Sequence, residues 1–141
     1  MPVAVGFQIK AIRVNSFAVN EAAFNPEIDV GFGVSVQHLF DTGMNEHVVQ
    51  VELSAGHSPD QPPLIVLHVE CQYQLTGYQD WFNTLPDEQR TLGTLPQGLA
   101  MALNSISIST VRGILFERLR GTELQHIVLP IIDPSVFQPA I

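Results

Sequence analysis

Positive charge is scarce in this sequence. Its 141 residues include a single lysine and five arginines against 14 acidic side chains, which gives a formal net charge of −8. Proteins that bind nucleic-acid backbones present clusters of lysine and arginine, so this balance argues against a nucleic-acid partner. Residues 1–88 hold two basic side chains against eleven acidic ones, whereas residues 89–141 hold four against three. These two parts could attract each other, within one chain or between copies.

Cysteine and long apolar runs are equally rare. Cys71 is the only cysteine, which excludes an intrachain disulfide or a CxxC motif and suits a reducing compartment. No eighteen apolar residues follow one another, and the opening MPVAVGFQIK lacks the basic start and sustained apolar stretch of a secretory signal. We therefore expect a cytoplasmic protein without membrane insertion.

The low charge also bears on assembly. Only 14 % of the residues are charged while 45 % are hydrophobic, so apolar surface remains for contacts beyond a core. The length fits one domain spanning residues 1–141. These numbers predict a homo-oligomer, a dimer or tetramer.

Period-two alternation dominates the first half of the chain. Residues 28–38 place Ile28, Val30, Phe32, Val34 and Val36 on one side, and residues 46–55 and 64–75 repeat the pattern. An earlier strand, roughly residues 3–17, places Val3, Val5, Phe7, Ile9 and Ala11 on one side. Short turns separate the last three strands, so these form antiparallel hairpins. A longer connection between the first and second strands suggests a crossover.

Helical signals follow Gly77. TLPDEQR has the order of a helix start, and the stretch from Pro96 to the stop at Gly121 predicts a long helix. SISIS within it also has strand periodicity, but the later spacing of Ile108, Val111 and Leu115 is helical. Gly113, inside this helix, suggests close packing against another element, such as a dimer partner. The fold class is therefore α+β, a four-stranded antiparallel sheet with a long helix packed beside it.

The residues that could form a catalytic or metal-binding site do not have the spacing typical of one. The five histidines lack HxxxH or HExxH spacing, and we expect ordinary surface roles for them. The neighbours His57, Ser58 and Asp60 form a turn too tight for a triad. Cys71 falls on a buried strand face, where it acts as a small hydrophobe. Gly31 and Gly33 lack a phosphate-loop pattern. We predict no enzyme activity, cofactor or metal.

An aromatic stretch, GYQDWFNTLP, is the strongest functional candidate. Tyr78, Trp81, Phe82 and Leu85 lie between the predicted sheet and helix, flanked by polar residues, as in an adaptable binding lip. The alternative is a second small core where the helix docks on the sheet.

Several local strings resemble the SecB family of export chaperones. FQIKAIRVNSF resembles that family's opening strand, and Phe24, Pro26, Glu27 and Ile28 match its entry into the second strand. Later, Asn104, Arg112, Gly121 and the LPII of residues 129–132 resemble its Asn, helix-opening Arg, Gly stop and extended segment. The likeness spans about residues 7–137.

This resemblance implies a dimer of dimers that binds unfolded polypeptides without ATP and delivers them to the translocase ATPase SecA. It implies three sets of site residues. The residues expected to bind polypeptide are Phe24, Trp81, Phe82, Leu85 and Phe137. The acidic residues expected to face a partner are Asp29, Glu52 and Glu70. The residues expected at the oligomer interface are Arg112, Gly113, Leu115 and Leu119.

Departures from the family weaken the expected link to SecA. Ala18 replaces the glutamate after the Ser-Phe pair, the late acidic positions of the second strand fall near Gly31 and Gly33, and only QPAI follows Phe137. Two hypotheses result: a SecB-like chaperone that binds unfolded chains, or a SecB-fold adaptor for one dedicated partner, with SecA bound weakly or not at all. An enzyme is a distant third.

Overall fold

The computed structural model describes residues 4–41, 45–91, 93–133 and 136. The strands are β1 (Gly6–Val19), β2 (Gly31–Asp41), β3 (Glu46–Gly56) and β4 (Ile65–Thr76); the helices are α1 (Tyr78–Asn83) and α2 (Gln97–Leu119). Short 3-10 turns cover Glu21–Ala23 and Asp87–Gln89. The predicted α+β class, four strands and a long helix, is confirmed.

The sheet is antiparallel throughout, in the order β1-β4-β3-β2. β2, β3 and β4 are joined by short turns and pair in sequence, as predicted. β1 instead pairs with β4, so residues 20–30, which we call the crossover segment, must pass from one edge of the sheet to the other. The predicted crossover is therefore confirmed.

α2 lies on one face of the sheet and forms the core with β3 and β4. In β3 and β4 the alternating residues expected to point inward do so, because Val51, Leu53, Leu67 and Val69 are each at most 1 % exposed. The second strand begins at Gly31 instead of Ile28, and Ile28, expected in its inward row, is 48 % exposed. Leu103 meets them from the helix, with no exposed surface. Burying one such aliphatic side chain contributes about 1.5–3 kcal/mol, so this layer accounts for most of the apolar stabilisation.

The first strand differs from its prediction. It begins at Gly6, and the register slips between Ile9 and Ala11 and again between Val14 and Ser16. Each slip adds a residue to one strand of the pair and moves the following side chains to the other face. Ala11 therefore leaves the row of Phe7 and Ile9, and Ile12 takes its place. Val3 lies outside the described residues.

Helix α2 begins after Pro96 and ends before Gly121, whose φ is +79°. Both terminal signals were predicted correctly, and SISIS is helical. TLPDEQR, however, forms only the 3-10 turn at Asp87–Gln89. Gly77 precedes α1 with φ +75°, and a Cβ there would lie 2.6 Å from the Ala4 carbonyl oxygen, so glycine is required.

By length and mean hydropathy, residues 98–119 could also cross a membrane. In the folded chain this segment is the core helix, with Leu115 and Leu119 fully buried. The side of α2 that faces away from the sheet also carries few charges, which is why the helix is as apolar as a membrane-spanning segment.

Candidate apolar binding site beside α2

An uncovered apolar row follows the edge strand β1 on the helix side of the sheet. Phe7, Ile9 and Ile12, the β1 row, are 40 %, 40 % and 48 % exposed. They lie opposite Leu75, Tyr73 and Cys71 of β4, which are buried. α2 packs over β3 and β4, so the row stays open along the flank of the helix. Large apolar side chains with this exposure are available for a polypeptide or another apolar partner.

The row leads into a cleft at its amino-terminal end. Val5 just before β1, Phe7 of β1, Trp81 of α1, and Leu99 and Ala102 of α2 line a cavity of about 400 Å³. All of these side chains are apolar. Trp81, which we predicted to bind polypeptide, is therefore next to the β1 row. The sequence analysis placed Phe7 and Ile9 on one side of the first strand but did not identify them as an exposed binding surface.

The other predicted polypeptide-binding residues do not gather at this cleft. Phe24 lies on the crossover segment and stacks on His57, with the ring centroids 5.8 Å apart. The turn that holds His57 precedes β4, whereas Trp81 and Phe82 follow it, so the two groups lie at opposite ends of the sheet. Phe82 packs on Tyr78, and Leu85 is half-buried. Phe137 lies outside the described residues.

Tyr78 makes part of the predicted lip a packing element that joins the core. It is 4 % exposed, and its hydroxyl donates to the Thr94 carbonyl oxygen at 2.7 Å. Its ring contacts Phe40, Trp81 and Phe82 at centroid distances of 4.6–5.8 Å. Burial raises the pKa of the Tyr78 hydroxyl. The alternative reading, in which the aromatic stretch is a packing element, therefore holds for Tyr78. Trp81 contacts Tyr78 and also lines the cleft.

Three of the residues proposed for the oligomer interface serve the fold of the single chain. Leu115 and Leu119 have no exposed surface. Arg112 donates from Nε to the Leu129 carbonyl and from Nη2 to the Pro130 carbonyl, at 2.9 and 3.0 Å. We therefore reassign them as packing residues. Arg112 ties the LPII segment to α2, and leaves Ile131 94 % exposed.

Gly113 has a different environment. It is exposed, and among the described residues nothing lies within 4 Å of the position a Cβ would take, so it packs against no other described element. It belongs to an outward stripe at helical spacing, the outer stripe, formed by Ile106, Ser109, Gly113 and Phe116. Phe116 is 55 % exposed and Ile106 37 % exposed. This stripe holds no charged side chain.

The three predicted partner-facing acids are not equivalent. Glu52 is exposed on the outer face of β3, in register with His68. Glu70 shares that face but accepts a hydrogen bond from Gln50 Nε2 at 2.9 Å and lies opposite Arg13 of β1. Asp29 precedes β2 and is part of the crossover segment, not of the sheet.

The expectation of ordinary surface histidines is wrong for His47, which is 1 % exposed. Its Nε2 lies 2.6 Å from His38 Nδ1, and His38 Nε2 lies 2.7 Å from Asn104 Oδ1. Because the amide oxygen only accepts, His38 must donate from Nε2 and accept at Nδ1 from His47. His47 Nδ1 has no hydrogen-bond partner among the described residues.

Both rings of this pair are held neutral. Burial, and secondarily the neighbouring His38, lower the pKa of His47 to about 3. Burial also lowers the pKa of His38, against the opposing effect of its bond to Asn104. HxxxH-type spacing could not have revealed this pair, because strand pairing across the β2–β3 turn brings the two histidines together.

Reactive groups elsewhere are engaged in packing. Cys71 is fully buried, and burial raises the pKa of its thiol, as expected of an inert hydrophobe. Tyr73, also buried, shares a 2.7 Å hydrogen bond with Ser107. Within residues 4–41, 45–91, 93–133 and 136, no three His, Cys, Asp or Glu side chains are grouped as a metal site would require.

Comparison with known proteins identifies a similar fold but no related sequence. No family model and no curated protein sequence matches the chain. The structure is similar to that of a SecB-like chaperone from Mycobacterium tuberculosis in complex with a ChAD peptide from an antitoxin. The TM-score is 0.56 and the sequence identity 16 %, over 89 % of this chain and 90 % of the other. The fold is therefore that of a SecB-like chaperone.

Proposed function

We propose that this protein is an ATP-independent, cytoplasmic chaperone that binds apolar segments of unfolded polypeptides. The β1 row carries the proposal: three large apolar side chains, 40–48 % exposed, lie side by side on the helix side of the sheet. Leaving these side chains exposed to water does not stabilise a single folded chain. Binding unfolded chains needs adaptable apolar area instead of a catalytic group.

The adjoining cleft supplies an anchor for such a segment. Large aromatic side chains in a pocket contribute most to binding energy at protein interfaces. Trp81 sits at the mouth of the cavity shared by β1, α1 and α2. A bound segment would follow the β1 row and place a side chain against Trp81.

The proposal is tested by suppression of aggregation of a chemically denatured protein, at a stoichiometric ratio and without ATP. Ile12→Ser and Trp81→Ala should each weaken client binding, by about 30-fold where the residue contributes about 2 kcal/mol. Leu39→Ser is the matched control, because Leu39 is 42 % exposed but lies on the opposite face of β2. Failure of the wild-type protein to suppress aggregation would refute the function.

The assignment of the binding surface can be wrong even if the proposed function is right. If Ile12→Ser and Trp81→Ala lowered the free energy of unfolding but left client affinity unchanged, the binding surface would lie elsewhere. Phe82→Ala provides an internal comparison, because Phe82 packs on Tyr78 and should affect stability more than binding.

A second candidate is an adaptor for one dedicated protein partner. The structurally similar mycobacterial protein is in complex with a peptide from an antitoxin, which favours recognition of a particular segment. Binding of one native partner from lysate, without protection of unrelated denatured proteins, would select the adaptor over the general chaperone.

We also propose that the protein is a homo-oligomer whose copies meet through the outer stripe of α2. Glycine and serine in the stripe allow two helices to approach closely, and Ile106 and Phe116 supply exposed apolar surface at their sides. This retains Gly113 from the interface residues predicted from the sequence and replaces Arg112, Leu115 and Leu119.

A further inference from the structure

The two edge strands of the sheet differ in how well they are protected against pairing with a further strand. β1 is interrupted by two register slips and carries Lys10 and Arg13. Bulges and basic side chains are common means by which edge strands avoid further pairing. β2 pairs with β3 over all eleven of its residues without a slip, and it contains no proline, lysine or arginine. Its one charged residue, Asp41, stands at its end. β2 is therefore the edge that is open to another strand.

The free edge of β2 presents backbone groups that no neighbouring strand uses. In an antiparallel sheet, every second residue of an edge strand points its N–H and C=O groups away from the neighbouring strand. Among the described residues, no backbone other than that of β3 hydrogen-bonds to the backbone of residues 31–40. A strand of similar length can therefore add to the sheet along the whole of β2.

A second copy of β2 is complementary to this edge. When two antiparallel copies pair over their full length, the two-fold axis passes through Val36, the middle residue of the strand. Asp41 then faces the partner's Gly31, so the two carboxylates lie at opposite ends of the pair and no like charges face each other. On the helix side, Val36 faces the partner's Val36 and Phe32 faces the partner's Phe40. The apolar rows of the two strands therefore become continuous.

The same register gives a role to an exposed leucine. Leu39 is 42 % exposed on the outer face of the sheet, where most side chains are polar. In the paired strands it faces the partner's Gly33, which has no side chain. Gly33 lines a shallow cavity of about 330 Å³ on this face, together with Ser35 of β2 and Ser54 of β3. Each strand thus carries both a protruding apolar side chain and the space that can receive that of the other copy.

We propose that two copies of this protein pair through their β2 strands and form one continuous antiparallel sheet, to which each copy contributes its four strands. β2 and β1 are opposite edges of the sheet, so this contact leaves the β1 row open. Leu39→Ser therefore remains a control for client binding, although it should weaken the pairing. The contact is also separate from the outer stripe of α2, and chains that use both surfaces would form a tetramer.

Disulfide crosslinking tests both the contact and its register. Cys71, the only native cysteine, is fully buried, so an introduced surface cysteine supplies the reactive thiol. Chains with Ser35→Cys are mixed with chains with Gln37→Cys, because these two exposed positions face each other in the proposed pair. Facing residues of antiparallel strands have Cα atoms about 4.5–5.5 Å apart, which a disulfide can span.

The control is Ser54→Cys, which is exposed on the outer face of β3 and away from the edge. Cysteines on paired strands meet at an effective concentration near millimolar, so at about 10 µM protein the mixture should crosslink about 100-fold faster than Ser54→Cys. Each edge variant alone should crosslink slowly, because its two copies lie diagonally, about 7–8 Å apart. The reactions are repeated with Phe116→Glu added, so that contact through α2 does not produce the crosslink.

Three results would overturn the proposal. The mixture crosslinks no faster than Ser54→Cys, or no faster than each edge variant alone, or Ser35→Cys captures a cysteine-bearing client peptide but no second copy. The last result would assign the edge of β2 to extended polypeptides. All three are read without a client-protection assay, so the pairing of β2 and the proposed function can fail independently.

Discussion

The buried imidazoles of His38 and His47 are the residues in this fold whose contacts depend most on protonation. Their hydrogen bonds run in one direction, from His47 Nε2 to His38 Nδ1 and from His38 Nε2 to Asn104. A proton added to His38 Nδ1 would oppose the His47 donor. A proton added to His47 Nδ1 would place a charge where the ring is 1 % exposed. The hydrogen bonds that join β2, β3 and α2 through these two rings therefore require both imidazoles to be neutral.

This arrangement predicts that the folded state loses stability in mild acid. The pKa of His47 is about 3 in the folded state and about 6.5 in an unfolded chain. Below pH 6.5 the unfolded chain therefore binds more protons, so the free energy of unfolding falls as pH falls, until about pH 3. The slope of about 1.4 kcal/mol per pH unit gives a loss of about 2 kcal/mol between pH 6.5 and 5 from His47 alone.

Urea unfolding of the wild type and of His47→Phe at pH 7.5 and 5.0 measures this loss. Phenylalanine suits the aromatic surroundings of Phe40 and Tyr73 but does not titrate. The pH dependence should be shallower in His47→Phe by about the amount that His47 contributes. Equal dependence in both proteins would mean that His47 takes up a proton as readily when folded as when unfolded.

At the scale of secondary-structure elements, the strands with regular pairing were predictable and the edge strand β1 was not. The inward rows of β3 and β4 follow from strict alternation, because both are central strands with regular pairing. In β1 the two register slips near Lys10 and Asn15 reset the alternation, and a lysine and a single asparagine are not enough to predict them from the sequence. Ile12 was therefore missed as the continuation of the row of Phe7 and Ile9.

The candidate site was predictable only in part, for a related reason. Trp81 was identified because it belongs to an aromatic stretch, flanked by polar residues, between the predicted sheet and helix. The exposure of the β1 row depends on which strands α2 covers, and periodicity reports that a strand has an apolar face without saying whether a helix lies on it. Likewise, Leu115 and Gly113 are two residues apart, yet one is fully buried and the other exposed.

The outer stripe of α2 yields a prediction about assembly. Light scattering at micromolar concentration should give a mass well above the 15.5 kDa of one chain. Phe116→Glu should shift the population towards the monomer, because it places a charge within an apolar helix contact. Ile28→Glu is the control, since Ile28 is 48 % exposed on the crossover segment, away from α2. A monomeric wild type would contradict the proposed interface.

At the scale of the whole molecule, the two faces of the sheet have different chemistry. The helix side carries the core, the β1 row and the cleft, which are apolar apart from the network of His38, His47 and Asn104. The outer face carries Glu52, Glu70 and Arg13 among neutral polar residues and glycines, together with the exposed Leu39. A polypeptide-binding role would therefore use the helix side, while any partner recognised by charge would meet the outer face.

We predict that binding to SecA through this outer face is weak or absent. The resemblance implies docking of a basic partner on carboxylates, whose complementarity sets association rate and specificity. Glu70 is here bonded to Gln50 and lies opposite Arg13, and Asp29 lies off the sheet. Gly31, Gly33, Ser35, Gln37 and Leu39 precede Asp41 in the outer row of β2. Besides Glu70, the exposed carboxylates of this face are therefore Glu52 on the central strand β3 and Asp41 at the end of β2.

Titration against SecA at about 0.15 M salt should give no saturable binding at micromolar concentration. At low ionic strength a weak attraction should emerge, because charges on an exposed face are screened over about 8 Å at physiological salt and over longer distances as salt is removed. The same preparation should protect a denatured protein from aggregation, which shows that it is active. Sub-micromolar binding at 0.15 M salt that Glu70→Gln abolishes would reverse the prediction, because it would mean that the pairing of Glu70 with Gln50 and Arg13 leaves its carboxylate available to the partner.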